Sequence, residues 1–349
     1  MLDYMPILAV GFAASVGLAP LARQLAHRIG LVDKPSARKV HRAPIPLMGG
    51  LAIYLAFMLA LLMFGNYPKH INELIVIVGC ATFLVYIGFQ DDRKELRPRT
   101  KYLAQIAVAT VSAAAGIRVD LFGSLLPDAF LTFMWYVGII NAINFLDNMD
   151  GLAAGTSAIA AFFLFLLSAL QGQELVSTLS AALCGAVIGF LLYNFNPASM
   201  FMGDMGSLVL GYLLAVLGLK LRFETQVPLA SWMIPILVLG LPIFDTTLVV
   251  FTRISEGRSP AQGGKDHTSH RLVLMGFSPR LAVILLYLAC MFFGVAAILI
   301  SFAPLNEALL IGAVIGVASL SSFVLLQVVW IHHKRQQAVP LNASTHNRK

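Results

Sequence analysis

The sequence is poor in charged residues. Of its 349 residues only 12% are Asp, Glu, Lys or Arg, whereas 58% are hydrophobic. A soluble globular domain carries about 25% charged and about 45–50% apolar residues. With so little charge the chain cannot cover a water-exposed surface of its size, which disfavours a soluble enzyme, a disordered chain and a nucleic-acid-binding domain. The lipid bilayer is therefore the predicted solvent.

Cysteine is also scarce, and Cys80, Cys184 and Cys290 each lie alone within an apolar run. Because no Cys-x-x-Cys or Cys/His spacing is present, a zinc or redox centre is disfavoured. The first apolar run has no Lys or Arg before it, although a cleaved signal peptide needs a basic start. We therefore expect this run to be a retained membrane span.

Long apolar runs dominate the chain, and a membrane-spanning helix needs about 20 such residues. No run alternates with the period of two that a β-barrel requires. The sequence predicts an all-α polytopic integral membrane protein with one transmembrane domain over 1–331 and a cytoplasmic polar tail over 332–349. About 11 transmembrane helices are expected, over residues 5–22, 47–66, 73–90, 102–117, 129–146, 152–169, 175–193, 205–219, 229–251, 281–302 and 308–331.

Lysine and arginine residues predict the orientation, since they are enriched in cytoplasmic segments. Of the 24 in the chain, 20 lie in four segments that alternate correctly with eleven spans: 23–46, 91–101, 253–280 and the tail after Trp330. The N-terminus is thus expected outside and the C-terminus in the cytoplasm. The net charge of +7 is attributed to this bias and to anionic headgroups rather than to nucleic acid.

The carboxylates share one depth in this topology. Six of them fall at or near the cytoplasmic ends of predicted spans: Asp91, Asp92, Asp147, Asp150, Asp204 and Asp245. Adjacent carboxylates repel each other unless a cation or a proton lies between them. Mg²⁺ binds a few carboxylates and then substrate phosphates, which suits phosphoryl transfer. Acidic residues that only mark water-facing loops are the alternative.

Two motifs place amides beside these carboxylates. In 141–155, Asn141, Asn144 and Asn148 accompany Asp147 and Asp150, which is more polar than a helix end and turn require. In 194–207, Asn196, Phe201 and Asp204 precede or open a helix whose N-terminus favours anions. Asp204 as a helix cap, and Phe201 as an interfacial anchor instead of a stacking partner for a base, remain alternatives.

Two basic loops complete the set. Residues 257–272 contain Lys265, His267, His270 and Arg271, whose donors suit a diphosphate. A solvated basic loop and a histidine metal site are the alternatives there. Lys39 and His41 lie in a basic loop before a glycine-opened span, and Lys101 opens the fourth span ten residues after Asp91. A membrane-anchored phosphate could bind these side chains, and a positive-inside bias explains the loop equally well.

These motifs resemble those of the polyprenyl-phosphate N-acetylhexosamine-1-phosphate transferases of glycosyltransferase family 4. The resemblance rests on Asp91-Asp92, on the stretch from Asn144 to Leu152, and on Phe201-Met-Gly-Asp204-Met-Gly-Ser-Leu. The loop from Lys265 to Leu272 is similar to that of the WecA/TagO-like branch. It lacks the three consecutive histidines of the related phospho-MurNAc-pentapeptide transferases.

The resemblance implies a reaction in which polyprenyl phosphate, as undecaprenyl phosphate, attacks a UDP-N-acetylhexosamine. The products would be UMP and the polyprenyl-diphospho-sugar that initiates cell-envelope polysaccharide synthesis. N-acetylglucosamine is the expected sugar, and Mg²⁺, with Mn²⁺ as an alternative, is the expected cofactor. The enzyme is expected in the inner (plasma) membrane with its active site on the cytoplasmic face, among membrane lipid and without nucleic acid. A homodimer is left open.

The resemblance also implies roles for the residues. The catalytic set would be Asp91, Asp92, Asp147 and Asp150, and the metal ligands Asp204, Asp92 and Asp147. The UDP-sugar would be bound by Asn141, Asn144, Asn148, Asn196, Phe201, His267, His270 and Arg271. The lipid phosphate would be bound by Lys39, His41 and Lys101. Transfer of phospho-MurNAc-pentapeptide is the alternative reaction, and an ion-coupled secondary transporter is the alternative of another class.

Overall fold

The computed structural model describes residues 1–33, 44–64, 69–223 and 228–338, and these parts are almost entirely helical. After a 3₁₀ turn at Leu2–Tyr4, the helices are α1 (Met5–Ile29), α2 (Gly49–Phe64), α3 (Ile71–Lys94), α4 (Pro98–Ala114), α5 (Leu125–Leu146), α6 (Leu152–Leu170), α7 (Glu174–Asn194), α8 (Gly203–Lys220), α9 (Pro228–Val238), α10 (Gly240–Ser255), α11 (Thr268–Leu274), α12 (Pro279–Phe302) and α13 (Leu305–Ala338). Strands β1 (Val32–Asp33) and β2 (Ile45–Pro46) pair antiparallel. The all-helical membrane architecture predicted from the sequence is confirmed.

Fewer helices are long and apolar enough to cross a membrane than the eleven that the sequence predicts. In the described residues eight helices are long and apolar enough to cross a membrane, or nine if the α9–α10 pair is one span. Within the described residues every predicted run coincides largely with helix, and residues 65 and 66 of the second run lie outside them. Helix α2 has 16 residues and α4 has 17. These two helices account for the difference from eleven.

The predicted span 229–251 is broken rather than continuous. Helices α9 and α10 bend by 76° at a break of a few residues. Pro242 lies in the first turn of α10. It has no N–H to donate to the carbonyl of Val238, so the helical ladder cannot pass through this point. The break turns α10 away from the direction of α9.

The centre of the molecule is helix α8, most of whose residues are buried. It packs against α2, α3 and α5, while α7 packs against both α1 and α6. Gly185 and Gly189 of α7 have the Gly-x-x-x-Gly spacing that is typical of helix packing, and they contact α1: an added Cβ would come 2.1 Å from the Leu8 carbonyl oxygen and 2.5 Å from that of Phe12. In contrast, only a small share of α13 is buried.

Glycines allow the start of α8 to approach its neighbours closely. A Cβ at Gly50 of α2 would lie 2.1 Å from the Gly206 nitrogen, and one at Gly88 of α3 would lie 2.4 Å from the Met205 nitrogen. Gly50 donates its backbone N–H to the Met202 carbonyl at 2.9 Å. The first turn of α8 is therefore held between α2 and α3 at a distance that a side chain would prevent.

We predict that Gly88→Ala lowers the free energy of unfolding by about 1–3 kcal/mol, because the added methyl group overpacks the α3–α8 contact. Gly79→Ala in the same helix is the matched control, since its Cβ would meet nothing within 4 Å. Alanine should there be neutral or stabilising by up to about 1 kcal/mol. Unfolding of the purified variants in detergent measures both effects. Equal stability of the two variants would contradict the packing argument.

Candidate active site

A cavity of about 940 Å³ opens at the end of the bundle where α3 and α5 end and α8 begins. Four of the sequence-predicted aspartates line it, and they come from three stretches distant in the chain: Asp92, Asp147, Asp150 and Asp204. Asn148, Asn196, Phe201 and His270 line it as well. The structure thus brings eight of the predicted site residues to one cavity. Lys39 and His41 lie outside the described residues.

Lys101 joins two of the acidic motifs. Its ammonium group donates to Asp91 Oδ2 at 2.7 Å and to Asp204 Oδ2 at 2.5 Å. Asn144 donates its amide to the other oxygen of Asp204 at 2.8 Å, and the same amide contacts the Ser207 hydroxyl at 2.8 Å. Ends of α3, α4, α5 and α8 therefore meet at the Asp204 carboxylate.

Asp92 has a contact that its sequence position does not indicate. Its carboxylate accepts the backbone N–H of Asp204 at 2.8 Å and that of Met205 at 3.2 Å. These are unpaired donors at the start of α8, where the helix dipole also favours a negative charge. A Cβ at Gly203, whose φ is +71°, would come within 2.6 Å of the Asp92 carboxylate. Asp92 thus caps α8 from a neighbouring helix.

The turn after α5 is held by α7 and α12. Asp150 accepts hydrogen bonds from the Asn196 amide and from the Ala198 backbone N–H, both at 3.0 Å. Gly151 has a φ of +77° and donates its N–H to Asn194 at 3.2 Å. Its carbonyl accepts from the Tyr287 hydroxyl at 2.5 Å. These contacts give Asp147 and Asp150 defined positions although they lie in a turn.

Asp147 has an unusual acidity. Burial raises its pKa, and the nearby charges of Asp204 and Asp150 raise it further, to about 7. Burial and nearby like charges both disfavour the charged form of a carboxyl group. The acidic side of the cavity is therefore electrostatically suited to receive a cation.

The second predicted basic loop forms another side of the cavity. His267 shares a hydrogen bond between its Nδ1 and Asp245 Oδ2 at 2.8 Å, and the Thr268 N–H donates to the other Asp245 oxygen at 2.7 Å. Ser269 donates to Asn148 Oδ1 at 2.7 Å, which connects α11 with the turn after α5. Burial and the charges of His267 and Lys265 lower the pKa of His270 to about 4, so its imidazole is neutral near pH 7.

An ion network anchors this loop. Burial alone would raise the pKa of Asp266, but hydrogen bonds from Arg253 and Arg258 outweigh it and lower the pKa to about 2. Arg253 binds both carboxylate oxygens of Asp266, at 2.9 and 3.1 Å, and Arg258 binds one at 2.7 Å. The carboxylate is thus charged at any physiological pH and holds the segment between α10 and α11 in place.

Two predicted ligand-binding residues face the protein instead of the cavity. Arg271 is fully buried, and its guanidinium donates to the Asp266 carbonyl, the Leu326 carbonyl and the Thr252 hydroxyl. Asn141 donates to Gln105 Oε1 at 2.6 Å and to the Val137 carbonyl at 2.7 Å. In this structure both side chains position helices, and direct contact of either one with a substrate stays a prediction.

The sequence analysis missed several residues of the cavity wall. Trp330, His333 and Lys334 line it, together with Asp33 of β1. The first three belong to α13, which runs continuously through the start of the segment assigned to a polar tail. They are more than 55 residues from the nearest motif, so no local spacing could have connected them with the site.

The donor set fits a divalent cation only in part. In the described residues, no group of three or more His, Cys, Asp or Glu side chains lies close enough to hold a metal ion by itself. Asp92 is engaged with the start of α8, and Asp204 with Lys101. Asp147 and Asp204 nevertheless present carboxylates to the cavity, and Mg²⁺ is commonly held by one or two carboxylates plus substrate phosphates. The set Asp204, Asp92 and Asp147 stays a prediction.

Comparison with known proteins identifies relatives of this chain. Residues 74–222 match the family model described as glycosyl transferase family 4. The chain is 38% identical over 297 residues, 82% of each chain, to a Bacillus subtilis protein named "Probable undecaprenyl-phosphate N-acetylglucosaminyl 1-phosphate transferase". It is 34% identical to the decaprenyl-phosphate N-acetylglucosaminephosphotransferase of Mycolicibacterium smegmatis, over 85% of this chain and 82% of that one. The undecaprenyl-phosphate alpha-N-acetylglucosaminyl 1-phosphate transferase of Escherichia coli K12 is 28% identical, over 82% and 79% respectively.

Proposed function

The chain belongs to glycosyl transferase family 4, and from this we propose that it transfers N-acetylglucosamine 1-phosphate from UDP-N-acetylglucosamine to a polyprenyl phosphate in the membrane. The observation that carries the proposal is the cavity at the end of the bundle. Carboxylates of three distant stretches line one side of it, and amides, an aromatic ring and basic groups line the rest. Such a site suits two anionic substrates that must be brought together with a cation.

The reaction is a substitution at phosphorus. An oxygen of the polyprenyl phosphate forms a bond to the β-phosphorus of the UDP-sugar, and the bond from that phosphorus to the bridging oxygen of UMP breaks. The attacking phosphate is mostly doubly charged near pH 7, since a second phosphate pKa is about 6. A strong base is therefore not required, and direct attack is favoured over a phosphorylated enzyme.

The acidic side of the cavity would hold Mg²⁺, with Mn²⁺ as the alternative ion. Asp204 and Asp147 are the proposed ligands, with Asp92 as a third. A divalent ion bound there would neutralise the diphosphate oxygens and the charge that develops on UMP. Lys101 keeps Asp204 charged and in place, and Asp91 shares that ammonium group. Lys101 and Asp91 are thus placed to meet the acceptor phosphate once it displaces one of these contacts.

The donor is assigned to the side where Asn148, Asn196, Phe201 and His270 line the cavity. Phe201 presents an aromatic ring on which uracil could stack. The neutral imidazole of His270 supplies a hydrogen-bond donor next to the ammonium group of Lys265. The positions of Asn141, Asn144, His267 and Arg271 suit a supporting role, since each binds another side chain of the wall or of the core.

Purified protein in detergent, supplied with Mg²⁺, undecaprenyl phosphate and a panel of UDP-sugars, tests the function through UMP release. UDP-N-acetylglucosamine should give the fastest release together with a polyprenyl-diphospho-sugar. Faster turnover of UDP-MurNAc-pentapeptide would instead assign the protein to the peptidoglycan reaction. No UMP with any sugar, in protein that remains folded, would refute the proposal.

Asp204→Asn should lower UMP release by at least about 100-fold, because the neutral amide removes a charge from the centre of the acidic cluster. Its fold should persist, since Asn keeps the shape that Lys101 and Asn144 surround. Asp120→Asn, an exposed change in the α4–α5 loop, serves as the matched control and should retain wild-type activity. Chelation of divalent ions should mimic Asp204→Asn in the wild type. Normal turnover in Asp204→Asn would remove this residue from the mechanism.

The site is proposed to face the cytoplasm of the inner membrane, with eleven crossings that include α2 and α4. This orientation is supported by Lys and Arg, because the ends of α1, α3, α10 and α13 that lie nearest the cavity carry the predicted cytoplasmic excess. A membrane-impermeant thiol reagent tests it in whole cells. Asp120→Cys should be labelled in intact cells, and Arg335→Cys only after the membrane is opened. The reverse pattern would invert the topology.

A further inference from the structure

The C-terminal helix forms a wall of the cavity although neither motif nor family match includes it. Helix α13 has 34 residues and is about 51 Å long at 1.5 Å per residue. The hydrocarbon core of a bilayer is about 30 Å thick, so roughly 20 Å of helix extends beyond it. Trp330 lies at the end of the predicted span 308–331, His333 and Lys334 follow it, and all three line the cavity together with the aspartates.

The extension is held in place by the anchored loop. The indole N–H of Trp330 donates to Glu256 Oε1 at 2.7 Å. Two cations approach this ring, since the guanidinium of Arg271 and the ammonium of Lys334 each lie 5.3 Å from its centroid. Arg271 also donates to the Leu326 carbonyl one turn earlier. The last turns of α13 therefore have a defined position relative to His270 and Lys265.

The charges of this network do not balance. Two carboxylates, Glu256 and Asp266, are paired with three cations, Arg253, Arg258 and Lys334. The arginines lie 2.7–2.9 Å from their partners, whereas Lys334 lies 3.6 Å from Glu256. Lys334 is thus the least tightly paired cation of the network, and it lines the cavity.

The cavity is consequently divided by charge. Its carboxylates come from β1, the ends of α3 and α5 and the start of α8, while Lys265, His270, His333 and Lys334 come from α11, the segment before it and α13. The acidic side requires a cation, and the basic side has positive charge left over. An anion that bridges the two sides would satisfy both.

The geometry points to Lys334 and His333 of α13 as a binding site for a substrate phosphate, either the diphosphate of the UDP-sugar or the phosphate of the polyprenyl acceptor. This assignment rests on the proposed function for the identity of the substrates. The ammonium group would exchange its long contact with Glu256 for a charge-assisted hydrogen bond to phosphate, while Arg258 and Trp330 keep Glu256 satisfied. Trp330 acts as a positioning residue.

The test compares Lys334→Gln with Arg335→Gln. Both changes remove one positive charge from the same turn of α13, but Arg335 is exposed and is not among the side chains that line the cavity. Dissociation constants of UDP-N-acetylglucosamine and of undecaprenyl phosphate are measured for each purified variant, and the KM values for both substrates by UMP release. Lys334→Arg is the conservative variant, and thermal unfolding confirms that all proteins are folded.

Lys334→Gln should raise the dissociation constant of one of the two substrates by about threefold to tenfold, and Lys334→Arg should restore most of the lost affinity. The expected loss of affinity is smaller than for a fully buried charged hydrogen bond, because the Lys334 side chain is 50% exposed. His333→Gln should weaken binding of the same substrate. The substrate affected identifies the phosphate: the UDP-sugar for a diphosphate site, or undecaprenyl phosphate for an acceptor site.

Two results would overturn the assignment. In one, both dissociation constants in Lys334→Gln stay within twofold of the wild type. In the other, Arg335→Gln weakens binding as much, which would make the effect one of overall charge. Neither outcome depends on turnover, so failure of this inference is distinct from failure of the proposed function, which would appear as absence of UMP release by the wild-type protein.

Discussion

The contact between Asp92 and the first turn of α8 organises the acidic side of the molecule. A partly buried carboxylate is costly unless its oxygens are hydrogen-bonded, and here both oxygens accept backbone N–H groups that the helix leaves unpaired. The contact requires glycine at 203, and the packing of the same turn requires glycine at 50 and 88. Once α8 begins at this place, Asp204 lies beside Lys101 and Asn144. The remaining geometry of the acidic cluster follows from it.

The turn after α5 illustrates how the membrane domain supports polar groups at its edge. Asp147 and Asp150 are not part of a regular element, yet partners on α7 and α12 and in the loop after α7 hold the turn on several sides. The result is a group of carboxylates at one edge of the bundle, where burial, together with the charges of Asp204 and Asp150, raises the pKa of Asp147.

The buried ion pairs of the α10–α11 segment have a different role. Replacing a buried salt bridge by apolar residues is often neutral for stability, so such pairs are better understood as specifying one geometry than as stabilising the fold. Arg253 and Asp266 form a pair with almost no exposure, and Arg271 satisfies carbonyls on two segments. Together they place α11 and the end of α13 on the same side of the cavity. The basic wall of the cavity is thereby built from parts that are far apart in the sequence.

The local sequence predicted well how deep each segment lies in the membrane. Apolar runs predicted the long apolar helices of the described residues, because a backbone in lipid must satisfy its own hydrogen bonds within the helix. Six aspartates at the ends of those runs predicted a polar layer at one surface, and four of them do line one cavity. Asp91 lies next to it through Lys101, while Asp245 supports His267.

The lateral arrangement of the helices could not be obtained in the same way, because it depends on packing between residues that are far apart in the chain. The capping of α8 by Asp92 and the inward orientation of Arg271 and Asn141 are set by neighbours that no single motif contains. The same holds for Trp330, predicted at the end of the last span, and for His333 and Lys334, predicted in the tail, which the fold brings to the cavity. Composition and hydropathy thus specify how deep each group lies, whereas side-chain packing and buried charge pairing decide which groups meet.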